Sequence, residues 1–198
     1  ANVLLIKNTD EAQQVAFKMF FEGVYPYSFN EFARKISITE KLRDVLRYFI
    51  KGIPRLNPVY YNIEFGYLYF QRFLPNNLFD TRITIIGNRA FGFRRFNREN
   101  DFRASGSGKI DYNPENIDIR CVDIAFKFSE THNFKCMAYD FLLNEDGLPE
   151  ICEISYTFSD SPVYECPGHW DSDFKWHEGK MWPEEAQVLD FIDRIDKA

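Results

Sequence analysis

The sequence predicts an α+β protein in which an antiparallel sheet is flanked by helices. Short apolar stretches rich in β-branched and aromatic residues are joined by tight turns that contain glycine, at 87–88 and at 144–147. This is the pattern of antiparallel hairpins. Other segments carry apolar residues at helical spacing, and they lie at 9–23, 39–52, 113–128 and 183–195.

Composition restricts the class of protein. The chain has 198 residues, is 45% hydrophobic and carries a net charge of -6, which favours a folded domain and argues against a nucleic-acid partner. The four cysteines lack metal-binding spacing, so we expect free thiols in a reducing compartment. Without a signal peptide or a long apolar run, we expect a cytoplasmic protein with no membrane span. The sequence leaves the oligomeric state open.

We expect the first part of the chain, 1–65, to form a partial N-terminal lobe. A short strand is expected at 3–6, followed by a helix that Thr9 caps and Gly23 ends. A second amphipathic helix is expected at 39–52, followed by a connector marked by Pro54 and Pro58.

We expect the second part, 66–198, to form a C-terminal lobe. Its expected strands lie at 67–74, 82–86 and 89–96. A helix that begins at the cap Asn113 is expected next. Residues 155–182 read as an irregular aromatic loop before a terminal helix, whose apolar stripe consists of Val188, Leu189, Ile192 and Ile195.

A hairpin between these two helices carries two acidic residues, Asp140 and Glu153. With a loop of two or four residues they share one face of the sheet, and with the four-residue loop 145–148 they lie directly opposite each other. Like charges so placed repel, unless a cation bridges them or one carboxyl is protonated. The hairpin therefore predicts a divalent-metal site.

Several motifs follow one another along the chain: a hinge-like segment at 71–74, Asp80 and Arg82 in a D-x-R pattern, a strand ending in Arg94 and Arg95, a D-F-R segment with glycines at 101–108, and the acidic hairpin. In this order they resemble the C-terminal lobe of an ATP-grasp enzyme of the amino-acid-ligase type. The resemblance runs from about Gly66 to Pro162. It implies an ATP- and Mg²⁺-dependent ligase that converts a carboxylate into an acyl phosphate, which an amine or a similar nucleophile attacks.

The resemblance also implies roles for individual residues. Arg82 and Arg103 would be catalytic, because a guanidinium grips phosphate or carboxylate through two bonds. Strand alternation lets either Arg94 or Arg95 face the nucleotide, but not both. The hinge segment would contact the adenine, and the expected nucleotide-binding residues are Gln71, Arg72, Phe73, Leu74 and Arg95. The expected metal ligands are Asp140, Glu153 and Ser155.

The chain departs from the family pattern in two places. Ser155 stands where the family's E-x-N motif has asparagine, which puts a second metal ion in doubt. The phosphate-binding lysine and Gly-rich loop of the family would lie upstream, and Lys7 is a poor substitute because the chain runs from it straight into the helix expected at Thr9 without a glycine. We therefore expect an incomplete catalytic unit with weak nucleotide affinity of its own. The turn at 105–108, followed by Lys109, is either an anion cradle or a surface turn.

Two classes of function follow. The first is a ligase acting on a small-molecule carboxylate and an amine or sugar acceptor, with a role in cell-surface polysaccharide or peptide modification. The alternative is a non-catalytic nucleotide- or carbohydrate-binding module, whose aromatic loop 163–182 holds Trp170, Trp176 and Trp182. In the same loop His169, His177 and Cys166 are either zinc ligands or packed side chains, and the second is expected because zinc sites use paired, tighter spacing.

Overall fold

A computed structural model gives the structure, which describes residues 3–24, 64–98 and 108–195. The chain divides into two compact units, 1–73 and 74–198. The helix predicted at 39–52, the proline connector, Arg103 and residues 105–107 lie outside the described residues.

The first unit contains one described helix, α1 (Thr9–Phe17), which continues as a π-helical turn to Glu22. Its cap is Asn8 rather than Thr9, because Asn8 has the extended backbone of a cap and its Oδ1 accepts the Glu11 N–H at 2.9 Å. Gly23 ends the turn with φ 78°, as predicted. The strand expected at 3–6 is wrong, since these residues form neither helix nor strand.

Among its described residues, the second unit has seven strands: β1 (Phe79–Ile86), β2 (Arg89–Phe96), β3 (Ile110–Asp111), β4 (Cys136–Leu143), β5 (Pro149–Ser155), β6 (Gly168–Asp171) and β7 (Trp176–Glu178). They form one antiparallel sheet in the order β5-β4-β1-β2-β6-β7, with β3 also paired to β2. The predicted fold class, α+β with an antiparallel sheet flanked by helices, is confirmed. The strand expected at 67–74 is wrong: among the described residues this segment pairs with no other strand.

In the described part of the second unit, three α-helices accompany the sheet: α2 (Ile119–Thr131), α3 (Asp160–Tyr164) and α4 (Pro183–Ile195). Helix α2 begins later than predicted, because Asn113 caps a separate 3₁₀ turn and Asp118 caps the helix itself. Within the described ranges, no helix has the length and apolar character needed to cross a bilayer. All four cysteines are free thiols, as predicted.

Each face of the sheet has its own apolar core, as strand alternation requires. On the α2 face, Ile83 and Tyr139 pack against Val122 and Ala125 of the helix. On the opposite face, named here the α4 face, Phe91 and Phe93 pack with Val163, Cys166 and Ala186. The same register places the charged motif residues on the α4 face, the face of these two phenylalanines: Asp80, Arg82, Arg95 and Asp140.

The predicted aromatic loop at 155–182 is wrong, because it contains α3 and the β6–β7 hairpin. Strand β6 extends the sheet by pairing Ala90 with Trp170. Trp170 is 6% exposed and meets the Trp176 ring edge-on at 4.7 Å. Two of the three tryptophans thus belong to the core, which removes the flat carbohydrate platform that the loop suggested.

His169 is a packed side chain of this added hairpin. Its ring lies 5.4 Å from the Phe91 ring and stacks on His177 at 5.2 Å, and its Nδ1 is buried. Burial, with the positive charge of Arg89, lowers the pKa of His169 to about 4. Among the described residues, no three His, Cys, Asp or Glu side chains form a metal-binding group.

Helix α4 also differs from its prediction. Ala186 is fully buried, but three members of the expected buried stripe, Val188, Ile192 and Ile195, are 58%, 46% and 57% exposed. The helix approaches the sheet through another side, where the Asp190 carboxylate covers Gly87 in the β1–β2 turn. Periodicity therefore identified the helix correctly but not the side that packs.

Substituting Ile83 by alanine should destabilise the second unit strongly. The side chain is fully buried on the α2 face, and such truncations cost about 2–5 kcal/mol. Ile119→Ala, on the exposed surface of α2, is the matched control, and chemical denaturation measures both. Equal losses in the two variants would contradict the packing described here.

The stability of the protein should fall as pH drops from 6.5 towards 4, in part because of His169. The folded state keeps this ring neutral while the unfolded chain takes up a proton, so acid favours unfolding. The effect is below the limit of about 1.4 kcal/mol per pH unit, since the ring is partly solvated.

Urea unfolding at pH 7 and pH 5 measures this dependence. His169→Gln should lose less stability between the two pH values than the wild type. An unchanged pH dependence in His169→Gln would show that another group is responsible.

Candidate functional site

The two acidic residues of the hairpin lie directly opposite each other, as the sequence predicts. Asp140 of β4 is paired with Glu153 of β5 on one side and with Arg82 of β1 on the other. The three side chains therefore form a row across three strands on the α4 face. Asp140 is buried and Glu153 is exposed.

A β-bulge produces this pairing. The hairpin loop has five residues, 144–148, rather than the predicted four, and Leu143 pairs with Pro149. Continued without interruption, this register would place Cys152 opposite Asp140 and turn Glu153 to the other face. A register shift between Asp140 and Phe141 leaves Cys152 as the extra residue and brings Glu153 opposite Asp140.

The bulged residue also contacts Asp140. The Cys152 thiol donates to the Asp140 backbone carbonyl, with Sγ 3.2 Å from the oxygen. Burial raises the pKa of the Cys152 thiol to about 12, with a further contribution from Asp140. The thiol therefore stays protonated and acts as a donor, not as a nucleophile.

Asp140 belongs to a network of two aspartates and two arginines. Arg82 grips it through two bonds, Nε to Oδ1 and Nη2 to Oδ2, each 2.6 Å. Arg95 donates to the same Oδ2 from Nη2 at 2.7 Å. Arg95 also holds Asp80 through two bonds, one of them from Nε to Oδ1 at 2.8 Å. We call these four residues the Asp–Arg network.

Because its two aspartates are buried, the stability of this network depends on the pairing of its charges. Asp80 and Asp140 are 3% and 4% exposed, and unpaired charges at such depth cost several kcal/mol each. Burial raises the pKa of Asp80, although the bonds from Arg95 oppose this change. Burial alone would lower the pKa of Arg95, but the two aspartates outweigh it and the pKa is raised.

The structure places Arg95, not Arg94, on the face of the acidic residues. Arg94 points to the α2 face, where its guanidinium lies 4.4 Å from the centre of the Phe79 ring, and it is opposite Asp111 of β3. This resolves the alternative that strand alternation left open. Asp80 was visible in the D-x-R motif, but sequence reasoning gave it no role.

The predicted hinge segment lies at the boundary between the two units, which falls between Phe73 and Leu74. Leu74 is buried, whereas Phe73 is exposed along with Gln71 and Arg72. The role of these four residues at an adenine stays a prediction.

Asn77 fixes the chain just beyond this boundary. It exchanges two hydrogen bonds of 2.9 Å with the backbone of Leu143 at the end of β4, and it also donates to the Leu74 carbonyl. Sequence reasoning missed this residue, because an asparagine two residues after a proline is read as an ordinary turn residue.

The Ser155 hydroxyl is hydrogen-bonded to the nearby backbone of Thr157. Its Oγ donates to the Thr157 carbonyl at 2.6 Å, and Ala138 is its partner on β4. This hydroxyl keeps oxygen lone pairs, so its predicted contribution to a metal site stays a prediction.

The donor set fits magnesium. An ionised carboxylate has about four lone-pair positions, and the Asp–Arg network uses three on Asp140, two at Oδ2 and one at Oδ1. The remaining position is therefore at Oδ1, while Glu153 is exposed. Magnesium is commonly held by one or two carboxylates together with phosphate and water oxygens. Asp140 and Glu153 offer two such carboxylates, and phosphate and water would have to supply the other ligands, because the described residues contain no larger metal-binding group.

Comparisons with known proteins leave the family undetermined. No protein-family model and no curated protein matches the sequence. Among solved structures, the chain is similar to the macrocyclase MdnC of Microcystis aeruginosa MRC, which was crystallised with its precursor peptide MdnA. The identity is 12% and the TM-score is 0.38, over 60% of this chain and 34% of MdnC. The chain thus spans about a third of that protein, and similarity this low does not identify a shared fold.

Proposed function

We propose that this chain is part of an ATP- and Mg²⁺-dependent ligase of the ATP-grasp type, which joins a carboxylate to an amine or a related nucleophile through an acyl phosphate. The observation that carries the proposal is the convergence of motif residues on one face of the sheet. Asp80, Arg82, Arg95, Asp140 and Glu153 are spread along the sequence but lie in register on four neighbouring strands.

Arg82 is suited to bind an anionic substrate at this face. A guanidinium has five N–H donors, and the bonds to Asp140 use one on Nε and one on Nη2. Its side chain is 16% exposed. Because Asp140 fixes the orientation of the guanidinium, the remaining N–H groups can donate to a phosphoryl or carboxylate oxygen without further ordering of the side chain.

Asp140 and Glu153 would hold the magnesium ion of the nucleotide, and Ser155 lies two residues further along the same strand. When bound, the ion would offset negative charge on the phosphate oxygens. Glu153 supplies the negative charge that the electrically neutral Asp–Arg network lacks. A divalent cation is therefore favoured at the Glu153 end of the row.

The reaction has two steps, and no group of the protein needs to form a covalent bond. A carboxylate oxygen of the substrate attacks the γ-phosphorus of ATP, the bond to the β–γ bridging oxygen breaks, and ADP leaves. The amine then attacks the acyl carbon, inorganic phosphate leaves, and the amine loses a proton. Such chemistry depends mainly on positioning and on charge stabilisation, which the partly buried Arg82 and Arg95 provide in fixed orientations.

The acceptor is a small molecule, a sugar or a peptide amine in this proposal, with a role in modifying a cell-surface polysaccharide or a peptide. The non-catalytic alternative keeps nucleotide binding without turnover. A screen for ADP release over pairs of carboxylates and amines distinguishes the two, because only a ligase releases ADP when both substrates are present. Carbohydrate binding through the tryptophans is not favoured, since Trp170 and Trp176 are packed in the core.

Asp140→Asn and Glu153→Gln should each weaken binding of Mg-ATP by the full-length gene product. Both substitutions remove a negative charge that faces the cation while preserving side-chain size. The loss of affinity should be much larger than any loss of stability for Glu153→Gln, because Glu153 is exposed. Isothermal titration calorimetry measures the affinity, and thermal melting reports the stability.

Glu145→Gln is the matched control, because Glu145 is an exposed acid in the turn of the same hairpin. It should bind Mg-ATP as the wild type does. Unchanged affinity in both Asp140→Asn and Glu153→Gln would refute the metal-nucleotide assignment.

A further inference from the structure

We infer that Asp80 and Arg95 are positioning residues, which hold the Asp140 carboxylate so that its Oδ1 stays available to a divalent cation. The inference rests on the proposed function, because it concerns the same metal-nucleotide site. It assigns Asp80 a role and changes that of Arg95, from a nucleotide ligand to a support for Asp140.

The hydrogen bonds define how Asp80 would act. Among the described residues, Asp80 bonds through its side chain to Arg95 only, and Arg95 bonds to both Asp80 and Asp140. The hydrogen-bonded link between Asp80 and Asp140 therefore passes through one guanidinium, while the charges of the two aspartates also interact directly. Asp80 is directly opposite Arg95 on β2, and Arg95 reaches diagonally across β1 to Asp140 on β4.

The guanidinium of Arg95 donates unequally to the carboxylates of Asp80 and Asp140. Asp80 takes the paired contact from Nε and Nη2, and Asp140 receives a single bond from Nη2 to its Oδ2. A guanidinium prefers paired contacts with one carboxylate. Without the Asp80 charge, Arg95 would turn its fork to Asp140 and compete with the cation for Oδ1.

Charge acts in the same direction. The Asp–Arg network is neutral with Asp80 ionised, and it becomes positive by one charge when Asp80 is replaced by asparagine. A net positive charge in a buried setting repels a divalent cation more strongly than it would in water. Both effects predict weaker metal binding when Asp80 is neutral, although Asp80 has no bond to the metal in this arrangement.

Binding of Mn²⁺ in the presence of ADP, followed by electron paramagnetic resonance on the full-length gene product, tests the inference. Asp80→Asn and Arg95→Lys should each weaken Mn²⁺ binding roughly 10- to 100-fold, the usual effect of removing a group that supports a metal ligand. Lysine keeps the charge but lacks the fork that joins two carboxylates.

Matched controls come from the opposite face of the same strands. Arg94→Lys and Asp111→Asn alter a neighbouring arginine of β2 and the acid opposite it on β3. These variants should bind Mn²⁺ within about twofold of the wild type, because they share no partner with Asp140.

A second measurement separates positioning from a merely structural role. The Nε–H signal of Arg82, in ¹H–¹⁵N spectra of protein labelled at arginine, reports the bond to Asp140 Oδ1. It should shift in Asp80→Asn, although Arg82 and Asp80 share no hydrogen bond. Circular dichroism establishes that each variant is folded, and Arg95→Lys decides the test if Asp80→Asn does not fold.

The outcomes distinguish the two proposals. If Asp140→Asn and Glu153→Gln lose Mn²⁺ binding while Asp80→Asn and Arg95→Lys keep it within twofold, the positioning role is wrong and the proposed function stands. If Asp140→Asn and Glu153→Gln also retain the affinity, the metal site itself is wrong. An Arg82 signal that does not move in folded Asp80→Asn would likewise overturn the positioning role.

Discussion

The Asp–Arg network is the interaction on which the rest of the second unit depends. Two aspartates that are nearly inaccessible to solvent must each have a cationic partner, because an unpaired buried charge costs several kcal/mol. The partners come from different strands, so the network is satisfied only when β1, β2 and β4 are in one register. A slip of one residue would turn the side chains of a strand to the opposite face and leave these charges unpaired.

The bulge at Cys152 extends the same constraint to the edge of the sheet. Strand β5 contributes no member of the buried network, but its register decides whether Glu153 faces Asp140 or the opposite side. An extra residue at the bulge, with its thiol bonded to the Asp140 carbonyl, sets that choice. The two acidic residues therefore differ: the Asp140 carboxylate is held by arginines, and the Glu153 carboxylate is exposed. The first is fixed in orientation, and the second is available to a cation.

Local patterns in the sequence predicted much of this arrangement, because hairpins depend on short-range turn chemistry and alternation. The β1–β2 hairpin, the pairing of Asp140 with Glu153 and the free cysteines follow from such patterns. The predicted four-residue loop was wrong, and the pairing is reached through a five-residue loop and a compensating bulge. Neither deviation has a clear signal in the sequence, since either alone would place Glu153 on the wrong face.

Long-range contacts explain the other differences. Repulsion between Asp140 and Glu153 predicted a cation, but the sequence does not show that two guanidinium groups already meet Asp140 from β1 and β2. Strand β6 is short and lies among proline and glycine residues, so its pairing with β2 is visible only in the folded chain. For α4, helical spacing predicts an apolar stripe, but tertiary packing selects the side that contains Ala186 instead.

A crystal structure of the full-length gene product with Mn²⁺ and ADP tests the central claim most directly. Anomalous scattering locates the metal independently of the nucleotide. We expect the ion to contact Oδ1 of Asp140 and a carboxylate oxygen of Glu153. Arg82 and Arg95 should remain bonded to Asp140. An ion bound elsewhere, with Asp140 held by the arginines alone, would contradict the metal-nucleotide site.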